Sequence, residues 1–128
     1  MSYYFATTLA MGFDDAVRRT TEVLKNEGFG IITEIDVQET LKKKINVDFR
    51  QYRILGACNP TLAHEALQIE DKVGTMLPCN VVIQDVGDGR TEVAAIDPVA
   101  SMQAIDNPRL KEAARQVQAK LRRVVQSL

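Results

Sequence analysis

Apolar and polar positions along the chain change their period several times, and each change predicts an element. Tyr3 to Ala10 carries aromatic, threonine and aliphatic residues without a breaker, which predicts a first strand ended by Gly12. From Phe13 the positions Phe13, Ala16, Val17, Thr20, Val23 and Leu24 recur at the spacing of a one-faced helix. Asp14 and Asp15 stand at its positive end and Gly28 is its stop. Phe29 to Ile35 then alternates, so Phe29, Ile31, Thr33 and Ile35 are expected on one face of a strand and Gly30, Ile32 and Glu34 on the other. Asp36 and Glu39 form an acidic variant of the capping box ahead of Val37, Leu41 and Ile45, which predicts a short helix to about Ile45.

Arg53 to Cys58 reads as a short strand, with Gly56 inside it where a missing side chain allows close approach. Asn59-Pro60, Asp97-Pro98 and Asn107-Pro108 then write three helix starts, because Asx caps the free amides and proline is tolerated at the first helical position. Asn80 to Val86 and Arg90 to Ile96 flank Gly87-Asp88-Gly89, the signature of a hairpin. In the final segment, Pro108 to Leu128, the positions Leu110, Ala113, Ala114, Val117, Leu121, Val124, Val125 and Leu128 form one stripe on a helix roughly 32 Å long at about 1.5 Å per residue. The order is strand, helix, strand, short helix, strand, helix, hairpin, short helix, long helix. It predicts an α+β fold, a mostly antiparallel sheet with helices packed on one face.

A chain of 128 residues with 45% hydrophobic and 26% charged content is expected to form a single domain, residues 1–128, with a core that needs neither disulfide nor structural metal. Sixteen basic against 17 acidic residues leave a net charge of −1, so no long-range field draws in nucleic acid or an anionic membrane. No apolar run is long enough for a membrane span, and Met1 to Gly12 lacks the flank and apolar stretch of a signal peptide; the expected compartment is the cytoplasm. Two basic clusters read as solvated faces. Lys42, Lys43 and Lys44 decorate the negative end of the second helix, with Arg50 and Arg53 nearby as the feature of an anion site. Arg109, Lys111, Arg115, Lys120, Arg122 and Arg123 spread around the last helix without interleaved aromatics.

The candidate chemistry centres on two cysteines. Cys58 precedes a helix cap, where free amides can lower a thiol's pKa. Cys79 follows Pro78 at the head of a strand, beside the hydrogen-bonding Asn80. If their strands are antiparallel neighbours the thiols share one end of the sheet; a parallel crossover would put them about 17–20 Å apart. Both also fit plain burial, since free cysteine behaves as a small hydrophobe. His64 falls opposite the stripe of Leu62, Ala66, Ile69 and Val73 and is expected at the surface. With no close Cys-x-x-Cys pairing, Cys58, Cys79 and His64 make a weak metal set. Asp97 ends a strand at what could be the same edge, where it can act as acid or base, although its place before Pro98 suits a helix cap. Glu34 and Asp36 do not form an obvious carboxylate pair. The chain has no nucleotide-binding glycine loop, nucleophilic-serine motif or His-Glu-x-x-His signature.

Five blocks in order, EIDVQETLKKK (Glu34 to Lys44), ILGACNP (Ile54 to Pro60), LAHEAL (Leu62 to Leu67), LPCNVVI (Leu77 to Ile83) and Asp97-Pro98, resemble the prokaryotic domain of unknown function 302 family. The resemblance runs from the first strand into the last helix. It implies a β-α-β(4)-α arrangement of the TATA-binding-protein-like type and a homodimer, without importing DNA binding. It also groups Cys58, Asn59, Pro60, Pro78, Cys79 and Asn80 into one pocket. More distant relatives keep Asn-Pro and Leu-Pro without the thiols, which sets any role of Cys58 or Cys79 apart as a property of this branch. The leading expectation is a homodimeric binding module with a small-molecule or metal-ion pocket near Cys58 and Cys79. The alternatives are a thiol-dependent redox enzyme or sensor using those residues and, more weakly, a nucleic-acid-binding module.

Overall fold

The computed structural model describes residues 2–128. Five strands, β1 (Tyr4–Leu9), β2 (Gly30–Asp36), β3 (Tyr52–Cys58), β4 (Cys79–Gly87) and β5 (Arg90–Ile96), form an antiparallel sheet in the order β1-β5-β4-β3-β2. Helix α1 (Phe13–Asn26) carries the chain across the sheet from one edge strand to the other, and the chain closes on a long helix, α5 (Pro108–Gln126). Shorter pieces are inserted between strands and before the last helix: α2 (Val37–Ile45), α3 (Pro60–Ile69), a 3₁₀ segment (Asp71–Met76) and α4 (Pro98–Ser101). The result is the α+β, β-α-β(4)-α order that the periodicity and the resemblance both imply.

The helix starts form where the Asx residues place them. Asp36 accepts from the Glu39 amide at 3.0 Å, Asn59 from Leu62 at 3.2 Å, Asp97 from Val99 at 3.0 Å, and Asn107 from both Arg109 and Leu110. Each bond satisfies an amide that the first helical turn leaves without a partner. The hairpin turns through three left-handed residues, Gly87, Asp88 and Gly89, a conformation glycine adopts without steric cost.

One sheet face carries the core. Phe13, Ala16 and Leu24 of α1 and Leu121 and Val124 of α5 pack with Leu55, Val81, Ile83, Val93 and Ala95 of the central strands. The stripe expected on the last helix is the buried one, with Val117 and Leu128 part-buried at its margins. On the other face the ladder aligns Ala6, Ala94, Val82, Ile54 and Ile35 in one row across all five strands. These side chains are exposed or half-buried, and a polar row of Thr8, Glu92 and Gln84 runs beside them.

Strand β2 departs from the simple alternation expected of it. Its register against β3 shifts between Ile31 and Thr33, so Ile31 lies opposite Ala57 on the core face while Thr33 and Ile35 lie opposite Gly56 and Ile54 on the open face. The expectation that Phe29, Ile31, Thr33 and Ile35 share a face is therefore corrected. A bulge adds a residue, here Ile32, and every side chain beyond it changes face. The glycine opposite the bulge is required by its neighbours: a Cβ on Gly56 would collide with Thr33 Oγ1 and lie 2.7 Å from Pro78 Cγ. Gly56→Ala is expected to lower stability by roughly 2 kcal/mol, read as a shifted urea midpoint. Adding Thr33→Ala should restore part of the loss, and an unchanged midpoint in Gly56→Ala would disprove the close packing.

Candidate ligand cavity

Strands β3 and β4 are antiparallel neighbours with Ala57 opposite Cys79. Of the two arrangements open to the sequence, this is the one that puts Cys58, the last residue of β3, and Cys79, the first of β4, at the same end of the sheet. Neither is in a disulfide; Cys58 is half-buried and Cys79 is buried. Both line a cavity of about 330 Å³ between this end of the sheet, α3, the 3₁₀ segment and α5.

The cavity exists because three elements present small residues to one another. The sheet supplies Ala57 and Cys79, α3 supplies Ala63 and Ala66, and α5 supplies Ala113 and Ala114. Pro98, Met102 and Leu110, all buried, line it on the inner side, while Ile32 and Leu67 line it with 61% and 42% of their surface exposed and so mark its mouth. Among the described residues no charged side chain lines it, and the thiols of Cys58 and Cys79 are the side-chain hydrogen-bond donors on its wall. The cavity opens to solvent past Ile32 and Leu67, so it is a cleft and not a closed void. Its size falls in the ordinary range of small-molecule sites, about 300–1,000 Å³.

Burial raises the Cys79 thiol from its ordinary value of 9.0 to about 11, and the neighbouring Cys58 pushes in the same direction. At neutral pH Cys79 is thus a protonated, apolar wall group, since the thiolate is the reactive form.

The remaining expected site residues are dispersed around this cavity. Pro78 lines it, after a cis Leu77–Pro78 peptide. Asn59 and Pro60 form the head of α3, with the Asn59 side-chain oxygen committed to the helix cap. Asn80 follows Cys79 by one residue and so belongs to the opposite, open face of the sheet, across from Gly56. Asp97 caps α4 and also accepts two bonds from Gln118 Nε2, at 3.1 and 3.2 Å. His64 is exposed on α3 and does not line the cavity. Among the described residues no three His, Cys, Asp or Glu side chains come together as a metal set.

The basic clusters are engaged locally. Lys42 pairs with Asp48 at 2.9 Å and Lys43 with Glu39. Arg50 donates to Gln84 and stacks on Phe49, and Arg53 lies over Phe13 while paired with Glu34 and Asp36. On α5, Arg115 pairs with Glu112, Arg123 binds Glu27, and Arg122 covers Phe5. The alanines are the lining residues that motif reading passes over. Their signal is faint: Ala63, Ala66, Ala113 and Ala114 are small residues on the apolar stripes of two helices, and only packing one helix against the other reveals that they face a common space.

Residues 5–128 match the family described as domain of unknown function DUF302. The chain belongs to this family. A crystal structure of an uncharacterized conserved DUF302 protein from Bacillus stearothermophilus is similar, with a TM-score of 0.90 and 29% identity over 98% of each chain. None of the curated proteins matches. No helix among the described residues of this DUF302 chain is long and apolar enough to cross a membrane.

The raised pKa of Cys79 fixes a pH signature. Its alkylation, followed by mass spectrometry, should run about a hundredfold slower than that of an ordinary thiol below pH 9 and should keep rising towards pH 11. A thiol raised in the folded state ionises first in the unfolded chain. The stability it contributes is therefore complete below about pH 9 and is lost, by roughly 2–3 kcal/mol, as pH climbs through 11. Cys79→Ala should flatten that alkaline slope; wild-type alkylation of Cys79 at the free-thiol rate would refute the assignment.

Proposed function

We propose that this DUF302 protein is a homodimeric cytoplasmic binding module that takes a small ligand in the cavity beside Cys58 and Cys79. The observation that carries the reading is the cavity itself, open at a mouth, lined by apolar residues and walled by the sheet end, α3, the 3₁₀ segment and α5. The apolar row Ala6, Ala94, Val82, Ile54 and Ile35 on the open sheet face supports the dimer, because a second copy would remove it from water. Two unbridged thiols suit a reducing compartment. A small molecule is favoured over a metal ion, for which the described residues bring no ligand set together.

A second reading, a redox enzyme or sensor, draws on the two thiols sharing one cavity. It assigns Cys58 as the thiolate that attacks hydrogen peroxide, giving a sulfenic acid and hydroxide, and Cys79 as the thiol that then displaces that hydroxyl as water to form the disulfide; burial makes Cys79 the poorer attacker of the two. It requires hydrogen peroxide to form a Cys58–Cys79 disulfide, read by mass spectrometry, and the absence of that product would remove it.

The binding reading is tested with the small neutral fluorophore 1-aminonaphthalene, whose emission should rise on titration with wild-type protein. Ala63→Phe, which fills the cavity from the half-buried side of α3, should abolish the rise without lowering the melting temperature. Native mass spectrometry at micromolar concentration should give the dimer mass for wild type and the monomer mass for Val82→Lys. No fluorescence response in wild type removes the ligand reading, and a wild-type monomer removes the dimer.

A further inference from the structure

We infer that the ligand inserts an uncharged hydrocarbon chain or ring of about ten non-hydrogen atoms into the cavity and keeps its polar or ionised end in water at the mouth between Ile32 and Leu67. The inference rests on the binding reading above and adds the chemical class. Three observations carry it.

The first is the lining. A buried charge or an unpaired amide or hydroxyl loses its water, and the loss must be offset by a partner. Among the described residues, the wall offers no side-chain donor beyond the two thiols and no charge to neutralise an ionised group. A carboxylate, phosphate or ammonium inside would be unpaired, whereas a methylene gains in full from leaving water.

The second is direction. Ile32 and Leu67 line the cavity and are largely exposed, whereas Leu110, Ala113 and Ala114 retain 1%, 3% and 4% of their surface. The site has an open, apolar entrance and a closed inner wall, so a chain can enter end-on with its polar end still in water.

The third is size. At about 30 Å³ for each water-sized group, the 330 Å³ accommodates roughly ten non-hydrogen atoms. That suits a free medium-chain or compact cyclic molecule and falls short of a full membrane-lipid acyl chain.

The experiment displaces 1-aminonaphthalene with straight-chain alcohols from butanol to dodecanol. Octanoate, octylamine and the octane diol bearing a hydroxyl at each end are run beside octanol. Affinity should tighten about fourfold per added methylene and level off near decanol, where the cavity is full. The diol should bind at least tenfold more weakly than octanol, because its far hydroxyl must be buried without a partner. Octanoate and octylamine, whose charged ends stay in water at the mouth, should bind within about tenfold of octanol. Leu67→Glu, an exposed change that leaves the core alone, should weaken octanol binding severalfold, and Ala63→Phe should remove it. Displacement by the diol as strongly as by octanol would overturn the ligand class while leaving the cavity reading intact. If the fluorophore binds equally well to wild type and to folded Ala63→Phe, the cavity reading and this inference fail together. Continued tightening through dodecanol would overturn the size limit.

Discussion

The packing of α5 across the sheet is the constraint on which the rest of the molecule depends, because one helix serves two cores of different character. Its C-terminal half presents Leu121, Val124 and Val125 to the main core with α1 and the central strands. Its N-terminal half presents Leu110 and Ala114 to a second cluster with Ala66, Val73 and Met102. The large side chains of the first half hold the helix in place through burial of apolar area. The small ones of the second half then meet small residues on α3 and on the sheet end, and the space they leave cannot collapse without moving a helix already fixed elsewhere. A cavity survives under such conditions because neighbouring structure relaxes only partially around missing volume.

The same end of the molecule explains the behaviour of the thiols. Pairing of β3 with β4 brings Cys58 and Cys79 together, and the bulge at Ile32 sets that residue at the cavity mouth instead of in a regular ladder. Gly56 allows Thr33 and Pro78 to close over β3 beside them. Cys79 consequently sits where water is excluded, and its proton is held by desolvation, the largest influence on it. The Asx residues around this region, Asn59 and Asp97, have their oxygens engaged in helix caps. The chemistry the site offers is thus set mainly by shape and apolarity, with two weakly polar sulfurs on the wall.

Much of the fold was legible in the chain because its signals are local. Capping by Asp36, Asn59, Asp97 and Asn107 needs only three or four consecutive residues, and the stripes of α1 and α5 need only a period. The hairpin at Gly87-Asp88-Gly89 is equally local, since those residues tolerate positive φ. The surface position of His64 and the capping role of Asp97 follow from the same kind of evidence. The bulge in β2 was not legible: Ile31, Thr33 and Ile35 alternate perfectly in sequence, and the shift of register depends on what β3 offers opposite them.

The sequence by itself determined the elements, their order, the α+β class, the family, and the two cysteines as the residues to watch. Tertiary structure decided that these cysteines share one end of an antiparallel sheet, that Asn80 turns away to the open face, and that six small residues from three elements surround one space. The division has a physical reason. Caps, turns and periodicity are set by neighbours within a few residues, whereas a cavity is a property of volumes contributed by segments distant in sequence, and no single segment carries a record of the space it leaves.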